Sequence, residues 1–205
     1  PGVMSKQAMP TSAAVGEQVT YTFNVPETPL SAALFDVDIA DSLPSGVRCD
    51  GTTSICNPRY VSGNSATGVL QSSLDANNLL TITTSDGGFD IPANTQAVIA
   101  IDVIVTDNVP AADQVGVAGT SFTNSATYTY EQANGNTANL SGGASVDAVV
   151  TVEEPNIVLS KDGDTTIDLD GSSTASFGVW AENTGDSDAH NLVLTTILAE
   201  ELRDT

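Results

Sequence analysis

The sequence predicts an all-β chain: β-sandwich modules in tandem, the second of them incomplete. Three observations carry this. Hydrophobicity alternates with period two in runs rich in Val, Ile, Thr and Tyr, and helical periodicity is nearly absent. Turn signals separate the runs: Pro44-Ser45-Gly46, Asp86-Gly87-Gly88, Asn134-Gly135-Asn136 and Gly142-Gly143. The pattern of the first residues then returns late in the chain.

In chain order, residues 19–25 read as a half-buried strand with Val19, Tyr21, Phe23 and Val25 on its apolar face. Residues 34–39 and 79–83 read as the next strands. Residues 97–105 make a longer one, carrying Val98, Ile99, Ile101, Val103 and Val105. In residues 122–130, Phe122, Asn124, Ala126, Tyr128 and Tyr130 share one face against Thr and Ser. Asn124 is therefore expected to point into the core. Residues 144–152 close the set. Residues 62–68 and 113–119 are small and polar enough for exposed loops, and residues 48–73 are the least regular stretch.

The repeat sets the organisation. Residues 1–6 resemble residues 155–161, and Gly16 with its following strand resembles Gly171 with Ala175, Phe177, Val179 and Ala181. Lys6 and Lys161 stand 155 apart, as do Asp41 and Thr196. The expected domains are a β-sandwich module over 1–152, a short linker over 153–155, and the first strands of a second, related module over 156–205. So few strands cannot bury two sheets, so the chain is expected to be part of a longer array.

Composition removes whole classes of function. Five basic residues against 26 acidic ones give a net charge of −21, which excludes a nucleic-acid binder working through a basic face. Docking on anionic lipid is disfavoured for the same reason. No apolar run is long enough to span a membrane, and no basic-then-apolar leader opens the sequence. With one His (His190) and two Cys (Cys49 and Cys56), most metal, thiol and His-based catalytic schemes lack residues. No enzyme is expected from this residue set.

Three segments resemble a known family. They are Gly16-Glu17-Gln18-Val19-Thr20-Tyr21-Thr22-Phe23, then Asp41-Ser42-Leu43-Pro44-Ser45-Gly46-Val47, then Phe122-Thr123-Asn124-Ser125-Ala126-Thr127-Tyr128. In this order they resemble the fimbrial isopeptide-forming domains of bacterial surface proteins (CnaA-like pilin modules) and the related repeats of long adhesins. The resemblance spans 1–152, and residues 155–205 match its first third. It implies an immunoglobulin-like β-sandwich in an extracellular, cell-surface stalk or fibre, with neighbouring modules or subunits as partners. It also implies an amide cross-link between a first-strand Lys and a late-strand Asn, helped by a buried acid, with the two strands as neighbours. Carried over, these are Lys6, Asn124 and Asp41, with Asp38 the poorer acid. Thr196 stands where the second unit would need its acid, which puts a bond from Lys161 in doubt.

The residue chemistry fits that scheme. Burial disfavours the charged amine, and only the neutral amine is a nucleophile. Burial drives an Asp towards the neutral acid, which can hydrogen-bond the Asn carbonyl and stabilise an oxyanion. Both lysines of the chain follow a Ser in the first strand of a repeat, and none occurs elsewhere. The plainer reading is two ordinary exposed charges.

Other features carry less. Cys49 and Cys56 are spaced to close a small loop by a disulfide in an oxidising compartment; two free thiols are the alternative. Glu153, Glu154, Asp162, Asp164, Asp168 and Asp170 are candidate Ca²⁺ ligands, although an EF-hand frame fails with Thr166 first and Phe177 last. Solvated acidic loops are the plainer explanation. No other cofactor is expected. His190 beside Asp188 reads as an exposed turn, and Trp180 as an outer-face aromatic. The competing function is a ligand-binding adhesin module that recognises glycan or protein through the 48–73 loops.

Overall fold

The computed structural model describes residues 2–50, 56–106, 121–133, 135, 138–163 and 176–197. Among them all regular structure is β. The strands are β1 (Ser5–Met9), β2 (Ser12–Ala14), β3 (Gln18–Val25), β4 (Leu34–Ser42) and β5 (Val47–Cys49). Then follow β6 (Arg59–Tyr60), β7 (Leu70–Leu74), β8 (Leu79–Thr84), β9 (Phe89–Ile91) and β10 (Ala97–Val105). The last are β11 (Ser121–Glu131), β12 (Leu140–Ser141), β13 (Val146–Glu153), β14 (Ile157–Gly163) and β15 (Phe177–Asn183). The chain divides into two units, Pro1–Glu153 and Glu154–Thr205.

The first unit is a β-sandwich. One sheet runs β1-β3-β10-β5, with β6 also on β10. The other runs β2-β13-β11-β4-β8-β7, with β12 also on β11 and β9 on β4. Alternation builds the core: Val19, Tyr21, Phe23 and Val25 of β3 are fully buried. They share one cluster with Ile39, Ile82, Ile99 and Val150, drawn from both sheets. Each such aliphatic side chain contributes roughly 1.5–3 kcal/mol on burial. β10 breaks the alternation, because Ala97, Val98, Ile99, Ala100 and Ile101 are all buried. A Cβ at Gly63 would meet Val98 Cγ2 at 3.6 Å, so the segment after β6 lies over the outer face there.

The first strand is split between the sheets. Pro10 has no N–H to give the ladder, and β1's pairing with β3 ends at Met9↔Thr20. The chain crosses over, and β2 joins the second sheet parallel to β13. The other described pairings in this unit are antiparallel.

The six runs of alternation appear as β3, β4, β8, β10, β11 and β13, the last starting at Val146. The short strands β2, β5, β6, β7, β9 and β12 were not legible in the pattern, because two to five residues hold too little alternation. The irregular stretch 48–73 contains β6 and part of β7. Residues 113–119 lie outside the described residues.

In the second unit β14 pairs antiparallel with β15. A two-stranded sheet leaves Leu159, Val179 and Trp180 exposed, Trp180 at 54%.

Candidate functional site

The sequence places a lysine, an aspartate and an asparagine where the fold buries all three. Lys6 is on β1 opposite Phe23. Asp41 is on β4, where alternation turns Val37, Ile39 and Asp41 inward and leaves Asp38 and Ala40 half-buried on the other face. Asn124 is on β11, inward with Ala126 and Tyr128. β11 sets Ala126 directly opposite Asp41, so Asn124 is its diagonal neighbour on the same face. Lys6 reaches this pair across the core. The expectation of neighbouring strands is therefore corrected: β1 belongs to the first sheet and β11 to the second.

The three side chains form one chain of contacts. Lys6 Nζ donates to Asp41 Oδ1 in a very short buried ion pair. Asn124 Nδ2 donates to Asp41 Oδ2 at 3.2 Å. Asp41 and Asn124 are 0% exposed and Lys6 is 7% exposed. Lys6 Nζ also sits 4.8 Å from the Tyr21 ring centroid and 5.2 Å from that of Phe23. Burial lowers the Lys6 amine to about 8, against the opposing pull of Asp41. Burial likewise raises the Asp41 carboxyl, against Lys6 and Asn124. Both shifts point towards a neutral amine beside a neutral acid.

One contact differs from expectation. Asp41 meets the amide nitrogen of Asn124, not its carbonyl, because both carboxyl oxygens accept: one from Lys6 and one from Nδ2. Asn124 Oδ1 is left buried without a hydrogen-bond partner, and so is Tyr21 Oη. The sequence marked Tyr21 only as a core residue. The available signal was its hydroxyl on an otherwise apolar inward face, since a buried phenol usually finds a partner.

The remaining sequence candidates fall elsewhere. Cys49 and Cys56 form a disulfide. Glu153 accepts from Ser12 Oγ at 2.6 Å. Asp162 lies on β14 and is exposed, as is His190, both in the second unit. Asp164, Asp168 and Asp170 lie outside the described residues. Among the described residues no group of three or more His, Cys, Asp or Glu side chains is placed to hold a metal ion. No described helix is long and apolar enough to cross a membrane.

No family model matches the sequence, and no curated protein matches it. Among solved structures the chain is similar to domains D2 and D3 of the major pilin SpaD from Corynebacterium diphtheriae, at 14% identity. That match covers 90% of this chain and 71% of that one, with a TM-score of 0.48. It is similar to the collagen adhesin CNA from S. aureus at 14% identity, over 87% of this chain and 52% of that one, TM-score 0.41. It is also similar to the sixth cohesin of scaffoldin B from Acetivibrio cellulolyticus at 11% identity, over 75% and 100%, TM-score 0.45.

Proposed function

We propose that the first unit is a self-cross-linking structural module of an extracellular bacterial surface protein, a pilus-like fibre or a large adhesin. The observation that carries this is the buried contact chain from Lys6 through Asp41 to Asn124. The motif resemblance points the same way, and the Cys49–Cys56 disulfide suits an oxidising compartment. Neighbouring modules or subunits of the same fibre are the partners this reading implies.

The chemistry follows from the contacts. Lys6 gives a proton to Asp41, and its neutral Nζ attacks Asn124 Cγ. A C–N bond forms, and the carbonyl electron pair moves to Oδ1. Asp41 touches both nitrogens, so the proton it took from Lys6 goes to Nδ2. The Cγ–Nδ2 bond breaks and ammonia leaves; Nζ gives its surplus proton to Asp41, and a neutral amide joins Lys6 to Asn124 beside a neutral acid. Holding the groups together supplies proximity worth up to roughly 7–11 kcal/mol of barrier. The reaction removes two liabilities, a buried ion pair and a half-satisfied buried amide.

Intact mass under denaturing and reducing conditions tests the reading. The wild-type chain is expected one ammonia lighter than its sequence. Lys6→Ala, Asn124→Ala and Asp41→Ala should each restore the full mass. A wild-type chain at full mass would falsify the cross-link.

A further inference from the structure

Two buried polar atoms beside the reacting groups lack hydrogen-bond partners: Tyr21 Oη and Asn124 Oδ1. One is a donor, and the other is the atom on which negative charge develops when an amine attacks the Asn124 carboxamide. We infer that the Tyr21 hydroxyl is the oxyanion donor of the cross-linking reaction, giving its hydrogen bond to Asn124 Oδ1 as Lys6 Nζ bonds to Cγ. This rests on the cross-linking reading above.

The surroundings leave Asp41 unable to play that part. Its two oxygens are engaged by Lys6 Nζ and Asn124 Nδ2. These are the atoms that lose and gain the proton, so Asp41 is placed to shuttle it. An acid on the nitrogen side leaves the oxygen side of the amide to another group. Tyr21 is on β3, fully buried, with its ring beside Lys6 Nζ. Its hydroxyl lies against the Asn124 carboxamide, whose N–H lowers its pKa as a donor would, so a turn of the amide about its Cβ–Cγ bond is what presents Oδ1 to it. Burial and the nearby Asp41 outweigh that influence and raise it, so the phenol stays protonated. A catalytic hydrogen bond that is loose in the resting site and tightens in the transition state is ordinary behaviour. The hydroxyl only donates. When the tetrahedral centre collapses, the electron pair returns from Oδ1 to the carbonyl, and Tyr21 keeps its proton.

The test follows the reaction in the full chain. Protein isolated in denaturant at full mass is diluted into buffer, and loss of ammonia is timed by denaturing mass spectrometry. Tyr21→Phe keeps the ring and deletes the donor, and it should slow the reaction roughly 10²-fold. Placing 3,5-difluorotyrosine at position 21 keeps the hydroxyl and makes it a stronger donor, so the reaction should quicken. To separate folding from chemistry, Tyr21→Phe is also made in the Lys6→Ala background, where melting should change little. A Tyr21→Phe chain that loses ammonia at the wild-type rate overturns the assignment and leaves the cross-link standing. Equal rates for tyrosine and difluorotyrosine overturn it too, because a packing role is indifferent to donor strength. A wild-type chain that never loses ammonia overturns both readings.

Discussion

A lysine and an aspartate taken out of water together can stay charged and hold each other, or neutralise. At this site burial lowers the Lys6 amine to about 8 and raises the Asp41 carboxyl. The consequence is measurable in a chain that cannot cross-link. In Asn124→Ala the Lys6 amine keeps its burial and its Asp41 partner. Between about 8 and the ordinary 10.5, the unfolded chain holds a proton on Lys6 that the folded chain has released. Stability rises with pH wherever the unfolded state binds more protons. Asn124→Ala should therefore gain thermal stability across that window relative to Lys6→Ala/Asn124→Ala, which lacks the titrating group. Parallel melting curves would mean that Lys6 keeps its ordinary proton. The pairing of Lys6 with Asn124 came from the family resemblance; the residues themselves add that Lys6 is one of two lysines and that Asn124 is polar on an apolar face. Which atom of the amide meets Asp41 was not legible, because that depends on side-chain rotation and not on periodicity.

At the scale of elements, each segment of the motif has a local physical reason. Gly16 takes a φ of +93° in the turn between β2 and β3, a conformation in which a Cβ is strained. Glu17 follows it and accepts the Ala14 N–H at 3.0 Å. Pro44 accepts the Val47 N–H at 3.2 Å and closes the turn into β5. The same logic was open at Asp86-Gly87-Gly88, which reads as a turn and is one. What the sequence could not show is how unequal its glycines are. A side chain at Gly87 meets open space, whereas one at Gly88 runs into the backbone of Asp36. Both have positive φ. Gly88→Ala should therefore destabilise the unit by roughly 1–3 kcal/mol more than Gly87→Ala, read as the difference between their unfolding midpoints. Equal midpoints would show that the Asp36 backbone gives way freely.

At the scale of the whole unit, two covalent links act over different lengths of chain. The disulfide spans a sequence separation of 7, and a loop that short restrains the unfolded chain by about 2–3 kcal/mol. A Lys6–Asn124 amide would close a loop on the order of 100 residues, worth roughly 4–5 kcal/mol by the same reasoning. Losing it should lower the melting temperature by roughly 10–20 °C in a unit of this size. Asn124→Ala is thus expected to melt well below Cys49→Ser/Cys56→Ser. The reverse order would count against a long-range link. The sandwich itself was readable because its long strands alternate. The assignment of β1 and β11 to opposite sheets was not, because periodicity fixes which way a side chain faces and not which sheet it faces from.

The parallel pairing of β2 with β13 has a mechanical consequence. Ser12, Ala13 and Ala14 lie against Thr151, Val152 and Glu153 in the same direction. Tension applied before β2 and after β13 drags the two strands lengthwise past each other, so their hydrogen bonds stretch together in shear and do not open one after another like a zip. Lys6 precedes β2 in the chain. A tie from Lys6 to Asn124 would intercept the pull before it reached those bonds, and the strand pair would hold in reserve.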